Sequence, residues 1–142
     1  MASRIANYTP QAFGKDTAPV KSKPYLEWLH GLPCIITGRQ PVEAAHVSFA
    51  NPKFGATGRG KGQKASDRWA LPLHPDLHRE QHDCKGGNEQ DFWIAKGINP
   101  HFAAVILWGL WSERKQAATA SAERLIRSGL GRIAAPADLP GT

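Results

Sequence analysis

The sequence has few cysteines and no long apolar run, and each absence excludes a class of protein. Its only cysteines, Cys34 and Cys84, form no C-x-x-C pair, which excludes a disulfide-rich secreted fold and predicts two reduced thiols. The longest apolar stretch, residues 102–111, is about half of the roughly 20 residues that cross a bilayer. The N-terminal residues lack the apolar core of a signal peptide. We therefore expect a cytoplasmic protein with no membrane partner.

The charge of the chain is predominantly positive, which favours a polyanionic partner. The 142 residues carry 18 Lys and Arg against 12 Asp and Glu, a formal net charge of +6. Residues 53–75 are strongly basic with Asp67 as their single acid, whereas residues 76–91 carry an excess of acids. A basic loop beside an acidic, histidine-bearing segment suits a metal-assisted phosphate site, but an ordinary solvated surface shows the same pattern. Charge alone leaves both interpretations open.

The length suits one domain, and the residue pattern predicts an α+β fold. Residues 1–24 are polar and without periodicity, so we expect a flexible basic arm, and the glycine-rich residues 50–66 are predicted to form a loop. Elsewhere the pattern predicts a short helix at 25–29 that ends at Gly31, a β-type run into a turn at 34–39, and extended segments at 41–47 and 69–73. It also predicts a helix from residue 75 that Gly86 and Gly87 stop, a helix at 89–96 closed by Gly97, and a helix from residue 100 that continues to about residue 128. The expected architecture is a small β-hairpin, a histidine-bearing helix on it and additional packed C-terminal helices.

Three histidines at four-residue spacing carry the strongest chemical signal. Residues four apart share one face of a helix, so His78 and His82 can chelate one cation. His74 begins the series at the expected helix cap, where a structural role is sufficient. His30 and His101 are assigned to ordinary structural positions.

The remaining ligands of a cation must come from elsewhere in the fold, and two residues are candidates. Asp67 precedes the strand that leads into the histidine helix; alternatively, it caps a turn or pairs with Arg68. His46 ends the preceding extended segment, where its ring can face the same cleft, although in isolation it is an unremarkable strand residue.

The glycine-rich loop resembles a phosphate-binding P-loop but departs from it at one essential position. Gly62 stands where a P-loop has the hydroxyl that binds magnesium, so a P-loop is rejected. Cations among glycines can instead follow a phosphate backbone closely. The candidate DNA-binding residues are Arg59, Lys61, Lys64 and Arg68. The aromatic residues Phe92, Trp93, Trp108 and Trp111 are assigned to the core rather than to base stacking.

Over residues 33–98 the chain resembles the HNH, or ββα-metal, endonucleases, and it is most similar to small phage and prophage members, including recombinase-dependent nucleases. The resemblance is carried, in order, by His46, the glycine- and lysine-rich loop, Lys64-Ala-Ser-Asp67, the strand at 69–73 and His78-x-x-x-His82. It implies a nuclease domain at residues 25–111, followed by a C-terminal helix and loose tail at 112–142.

The resemblance also implies a role for each site residue. His46 would be the general base that deprotonates water, and Asp67 would orient that base or reach the metal. His78 and His82 would bind one divalent cation, with Mg²⁺ or Mn²⁺ expected and Zn²⁺ or Ni²⁺ as alternatives. The implied activity is hydrolysis of DNA in phage or prophage metabolism or recombination, with a recombinase-type protein as a further partner.

Two departures from the family pattern keep alternatives open. Ala45 stands where many relatives have a further metal ligand. Of the four cysteines of a zinc knuckle only Cys34 remains, while Thr37, His74 and Leu77 occupy the other positions, so a four-ligand structural zinc is not expected. Cys34 and His74 then have structural roles or supply an extra ligand. The alternatives are a non-catalytic DNA-binding recombination accessory protein with a degenerate site, or a structural metal-binding protein.

Overall fold

The computed structural model describes residues 19–58, 65–84 and 87–133. Within these residues the chain forms an α+β fold with a two-stranded antiparallel sheet and five α-helices, which confirms the expected fold class. The predicted arm at residues 1–18 and the predicted tail at residues 134–142 lie outside the described residues. None of the described helices is long and apolar enough to cross a membrane.

The sheet joins two short strands that are far apart in the sequence. β1 (Glu43–His46) pairs antiparallel with β2 (Ala70–Leu73), with Glu43 opposite Leu73 and His46 opposite Ala70. All four residues of β2 are buried, because the strand lies between β1 and the helices behind it. The strands fall within the two segments predicted at 41–47 and 69–73.

Of the β-type run into a turn predicted at residues 34–39, the turn is confirmed and the β-type run is wrong. These residues form a turn in which the Cys34 N–H donates to the Arg39 carbonyl and the Gly38 N–H donates to the Cys34 carbonyl. Gly38 adopts φ +75°, a left-handed conformation that glycine accepts without steric cost and that reverses the chain. Ile35 makes a single bond to the carbonyl of Pro72 in β2 rather than a strand ladder.

Helix α1 (Lys23–His30) begins inside the segment predicted to be an arm. The Ser22 side chain accepts a hydrogen bond from the Tyr25 N–H and so caps the first turn, and Pro24 is tolerated there because the first helical N–H groups have no intrahelical partner. The helix ends at Gly31, as predicted.

Two helices follow the sheet with ends set by local capping residues. α2 (Pro75–Asp83) ends at Cys84, whose φ of +46° stops it before the predicted glycine stop. α3 (Glu89–Lys96) begins with a capping box, in which the side chains of Asn88 and Asp91 each accept a hydrogen bond from the other residue's backbone N–H. The helix ends at Gly97, and its bounds are those predicted.

The long C-terminal helix predicted from residue 100 to about residue 128 is two helices. α4 (Pro100–Arg114) ends where Lys115 takes φ +51° and ψ −131°, and a 3₁₀ turn (Lys115–Ala118) leads into α5 (Thr119–Arg127). The break redirects the chain so that Ala118 and the apolar side of α5 are buried. α4 therefore continues through residues 111 and 112, between which the boundary of the expected nuclease domain lies.

An aromatic layer, which we define as Tyr25, Trp28, Trp108 and Trp111, joins α1 to α4. Tyr25 meets Trp108 edge-on at a centroid distance of 4.8 Å, and Trp28 lies 5.3 Å from Trp111. Trp28 Nε1 donates to Thr119 Oγ1 at 2.9 Å, which attaches α5 to the same layer. The assignment of the aromatics to the core is confirmed, since Phe92, Trp93 and Trp111 are buried and the partly buried Trp108 packs against the core.

Candidate functional site

The fold brings four predicted site residues to one pocket. His46, at the end of β1, Asp67, in the 3₁₀ turn before β2, and His78 and His82 on α2 all line a cavity of about 890 Å³. We call this cavity the site pocket. Its further lining residues include Lys21, Lys23, Ser48, Gln81, Cys84 and Glu89.

His46, at the end of β1, and Asp67, in the turn before β2, form a hydrogen-bonded pair. His46 Nε2 lies 2.8 Å from Asp67 Oδ1. An ionised carboxylate can only accept, so Nε2 carries the proton and donates it, and Nδ1 of the neutral ring keeps its lone pair. Both side chains are only partly buried, so the free nitrogen belongs to a ring that solvent and a ligand can reach.

The second oxygen of Asp67 is held by the segment that leads into α1. Ser22 N–H donates to Asp67 Oδ2 at 2.7 Å, and the Asp67 N–H donates to the Val20 carbonyl at 2.8 Å. A third bond runs from Val20 N–H to Ser66 Oγ at 2.9 Å. Both carboxylate oxygens thus have protein donors, which favours the orienting role among the two expected for Asp67. The same bonds place Lys21 at the pocket.

The two histidines of α2 lie side by side one helical turn apart. The ring centroids of His78 and His82 are 5.1 Å apart with an interplanar angle of 47°. His78 Nδ1 is 2.7 Å from Oε1 of Glu43, the first residue of β1. Sequence reasoning missed Glu43, because its partner is 35 residues away and only the strand register places the two together.

A second missed residue, Glu89, ties α2 and α3 to the end of β1. Its carboxylate accepts from Ser48 N–H and Oγ at 3.0 and 2.6 Å, from Gln81 Nε2 at 2.8 Å and from Trp93 Nε1 at 3.0 Å. Gln81 Nε2 also donates to the His46 carbonyl at 3.0 Å. In the sequence Glu89 reads only as an acid in the first turn of a helix, and the local pattern contains no signal for this network.

His74 and Cys34 have structural contacts and do not line the site pocket. His74 caps α2, where its Nδ1 accepts from the Asp76 N–H at 3.2 Å. Cys34 is buried, and its sulfur accepts from three backbone N–H groups at 3.4 to 3.5 Å, those of Ile36, Thr37 and His74. Both residues therefore occupy structural positions.

Cys84 lines the site pocket but lacks the character of a nucleophile. Desolvation, followed by the nearby carboxylates of Glu89, Asp83 and Asp91, raises the pKa of its thiol. The thiol donates to the Gln81 carbonyl. Because the reactive form of cysteine is the thiolate, the raised pKa disfavours nucleophilic chemistry at Cys84.

The buried His101 shows what an ordinary core histidine looks like in this fold. It is fully buried, with Nε2 2.9 Å from the Phe49 carbonyl and Nδ1 3.4 Å from Asn51 Nδ2. Desolvation lowers the pKa of His101. The exposed His30 lies 2.7 Å from the Leu26 carbonyl of its own helix. Neither residue lines the site pocket, as expected from the sequence.

Three of the four candidate DNA-binding residues, Arg59, Lys61 and Lys64, lie outside the described residues. The fourth, Arg68, directly follows Asp67, and its guanidinium lies 5.1 Å from the ring centroid of Trp69. Ala45 is fully buried opposite Leu71 and belongs to the core. Among the described residues, no group of three or more His, Cys, Asp or Glu side chains is arranged to hold a metal ion.

Comparison with known families classifies the chain without assigning an activity. A family described as "Protein of unknown function (DUF968)" matches residues 4–100, so the chain belongs to this family. The matched region contains both strands, α2 and all four predicted site residues. No curated protein and no solved structure matches the chain.

Proposed function

We propose that the protein is a metal-dependent endonuclease that hydrolyses phosphodiester bonds in DNA, with an HNH-like core formed by β1, β2 and α2. The observation that carries the proposal is the convergence of the His46–Asp67 pair and the His78–His82 pair on one pocket. Metal-assisted hydrolysis needs a general base and a cation close to the same phosphate. Here the first pair would supply the base and the second pair would hold the cation, and β1, β2 and α2 bring the two pairs to one pocket.

His46 has the chemistry of a general base in this arrangement. Imidazole is the side chain that most often takes a proton as a general base, and in His46 the nitrogen that Asp67 does not bind is available to do so. Asp67 holds Nε2–H and stabilises the imidazolium that forms when Nδ1 accepts the proton of the attacking water. Asp67 is itself fixed by Ser22 N–H, so the ring orientation is set before substrate binds.

His78 and His82 fit a cation as a pair of imidazole donors on one helix face. Imidazole donors suit Ni²⁺ or Zn²⁺, whereas Mg²⁺ and Mn²⁺, the ions expected from the sequence, prefer oxygen ligands. Water and a substrate phosphate would complete the coordination. When bound, the cation would supply positive charge to neutralise the charge that develops on the phosphodiester and the leaving oxygen.

The surroundings of the pocket suit a nucleic-acid backbone. Lys21 and Lys23 line it, and the chain carries a net charge of +6. Lysines held at the rim neutralise phosphates without reading bases. We therefore propose a nuclease without strong sequence preference. From the resemblance to phage and prophage HNH nucleases, we further propose that it acts in phage or prophage DNA metabolism or recombination, alongside a recombinase-type partner.

The test is cleavage of supercoiled plasmid and of single-stranded circular DNA by wild type, His82→Ala and His30→Ala, with and without Mg²⁺, Mn²⁺, Ni²⁺ or Zn²⁺. We expect metal-dependent cleavage by wild type and by the His30→Ala control, and its loss in His82→Ala. Equal cleavage by all three proteins would contradict the site assignment.

A second candidate function, a non-catalytic DNA-binding protein with a degenerate site, is favoured by two observations. Ala45 is buried in the core, and the described residues contain no group of three or more His, Cys, Asp or Glu side chains arranged to hold a metal ion. Folded wild type that binds DNA but cleaves neither substrate in any of the four metals would support this alternative.

A further inference from the structure

We propose that Glu43 is a positioning residue that fixes the ring of His78 for metal binding; this inference rests on the proposed function for the identity of the bound group. Glu43 Oε1 lies 2.7 Å from His78 Nδ1, at the distance of a charge-assisted hydrogen bond. The contact joins the first residue of β1 to the middle of α2, two elements separated by the loop and by β2.

The chemistry of the pair determines which nitrogen of His78 can bind a cation. A carboxylate has no proton to donate, so Nδ1 of the neutral ring must carry the hydrogen. The lone pair is then on Nε2, the only nitrogen left for a metal. Glu43 thus selects the tautomer, fixes the ring rotation and increases the basicity of Nε2.

The contact contributes little as a surface ion pair. The Glu43 side chain is 49% exposed, and the gain from an exposed pair is small because water screens the charges. The arrangement of a carboxylate, a histidine and a metal is instead a common way to orient a ligand. β1 would thereby contribute to the cation site indirectly, because its Glu43 would hold His78 of α2. Ala45, which also lies in β1, is buried in the core and does not reach the site.

α2 offers a matched control for the loss of this carboxylate. Glu80 is 53% exposed and pairs with Lys96 Nζ at 3.0 Å rather than with a histidine. Glu80→Gln therefore removes the same charge at similar exposure, from the helix that carries His78, without touching the imidazole.

The first measurement is the affinity of the full chain for Mn²⁺ and Ni²⁺ by titration calorimetry. We expect Glu43→Ala to weaken binding about 10- to 100-fold, Glu43→Gln to weaken it less, Glu80→Gln to leave it unchanged and His82→Ala to abolish it. If His82→Ala loses metal binding while Glu43→Ala keeps the wild-type affinity, the inference about Glu43 is overturned but the proposed metal site is supported. Wild type that binds neither ion would overturn both the metal site and the inference.

The second measurement is the tautomer of His78 in the metal-free protein, read from ¹⁵N chemical shifts at a pH where the ring is neutral. We expect the Nδ1–H form in wild type and in Glu80→Gln, and its loss in Glu43→Ala. An Nε2–H form in wild type would overturn the inference whatever the metal measurements show. Circular dichroism of each variant confirms that α2 remains folded.

Discussion

The site pocket and the aromatic layer are held together by different kinds of interaction. In the site pocket, partly exposed side chains are positioned by charged hydrogen bonds, such as His46 to Asp67 and His78 to Glu43. In the aromatic layer and the adjacent face of α4, buried apolar side chains pack against each other. We therefore expect pocket substitutions to change chemistry with little effect on stability, and core substitutions to do the reverse.

Two histidines make the same contrast within one residue type. His46 has a carboxylate partner and a ring that solvent reaches, whereas His101 bonds a backbone carbonyl and is fully buried between the rings of Phe49 and Trp69. The first environment suits the proton transfer proposed for His46, whereas desolvation in the second lowers the pKa of His101. Surroundings rather than residue type decide which histidine can act as a base.

The largest effect is expected for His46→Ala, which tests whether a substitution in the site pocket changes activity without changing stability. Loss of the proposed general base should reduce the proposed DNA cleavage about 10²- to 10⁴-fold, while the melting temperature stays close to that of wild type because the side chain is partly exposed. Plasmid cleavage and thermal unfolding of the same preparation measure both quantities. A variant that cleaves at the wild-type rate would remove His46 from the chemistry.

The next largest effect is expected for Leu107→Ala in α4, which tests whether a substitution in the buried core changes stability without changing activity. Leu107 is fully buried, and truncating such a leucine lowers the free energy of unfolding by about 2–5 kcal/mol. Leu125→Ala is the matched control, because Leu125 is 38% exposed on α5. Urea unfolding measures stability, and cleavage per folded molecule should be unchanged in both variants. Similar stability losses at the two positions would contradict the packing described here.

A smaller effect is expected for Lys21→Ala at the rim of the site pocket. Removing one phosphate contact should weaken DNA binding for all sequences and reduce the slope of log affinity against log salt by about 1. Arg127→Ala, at an exposed position in α5, is the control for the loss of one positive charge. Fluorescence anisotropy over a salt series measures both slopes, and equal slopes for the two variants would argue against a phosphate contact at Lys21.

The smallest effect concerns the pH dependence of stability. Burial lowers the pKa of His101 from its ordinary value of 6.5, against the opposing influence of the Phe49 carbonyl and Glu89. The unfolded chain therefore binds a proton more readily, and the contribution of His101 to stability is present above about pH 6.5 and decreases as pH falls through its lowered pKa.

Replacing His101 separates this contribution from those of the other histidines. His101→Gln should be less stable than wild type at neutral pH and should lose less stability on acidification, whereas the exposed His30→Gln should follow the wild-type curve. Urea unfolding between about pH 5 and pH 7.5 measures the three curves. Parallel curves for His101→Gln and wild type would show that His101 titrates as it does in the unfolded chain.

Features that depend on neighbouring residues could be predicted from the sequence. The bounds of α3 follow from Asn88 and Gly97, and the start of α4 follows from Asn99 and Pro100, because capping satisfies backbone groups within one turn. The pairing of His78 with His82 on one face follows from helical spacing alone. The sequence by itself therefore determined the fold class, both strand segments and the four predicted residues of the site pocket.

Only the tertiary structure decided how those residues are held. Glu43 meets His78 across 35 residues, and Ser22 meets Asp67 across 45; such contacts depend on strand register and on the path of the chain into α1. The break at Lys115 is of the same kind, since burial of Ala118 and α5 outweighs a helix pattern that continues to about residue 128. Local propensity sets the elements, but burial and long-range hydrogen bonds determine their ends and their partners.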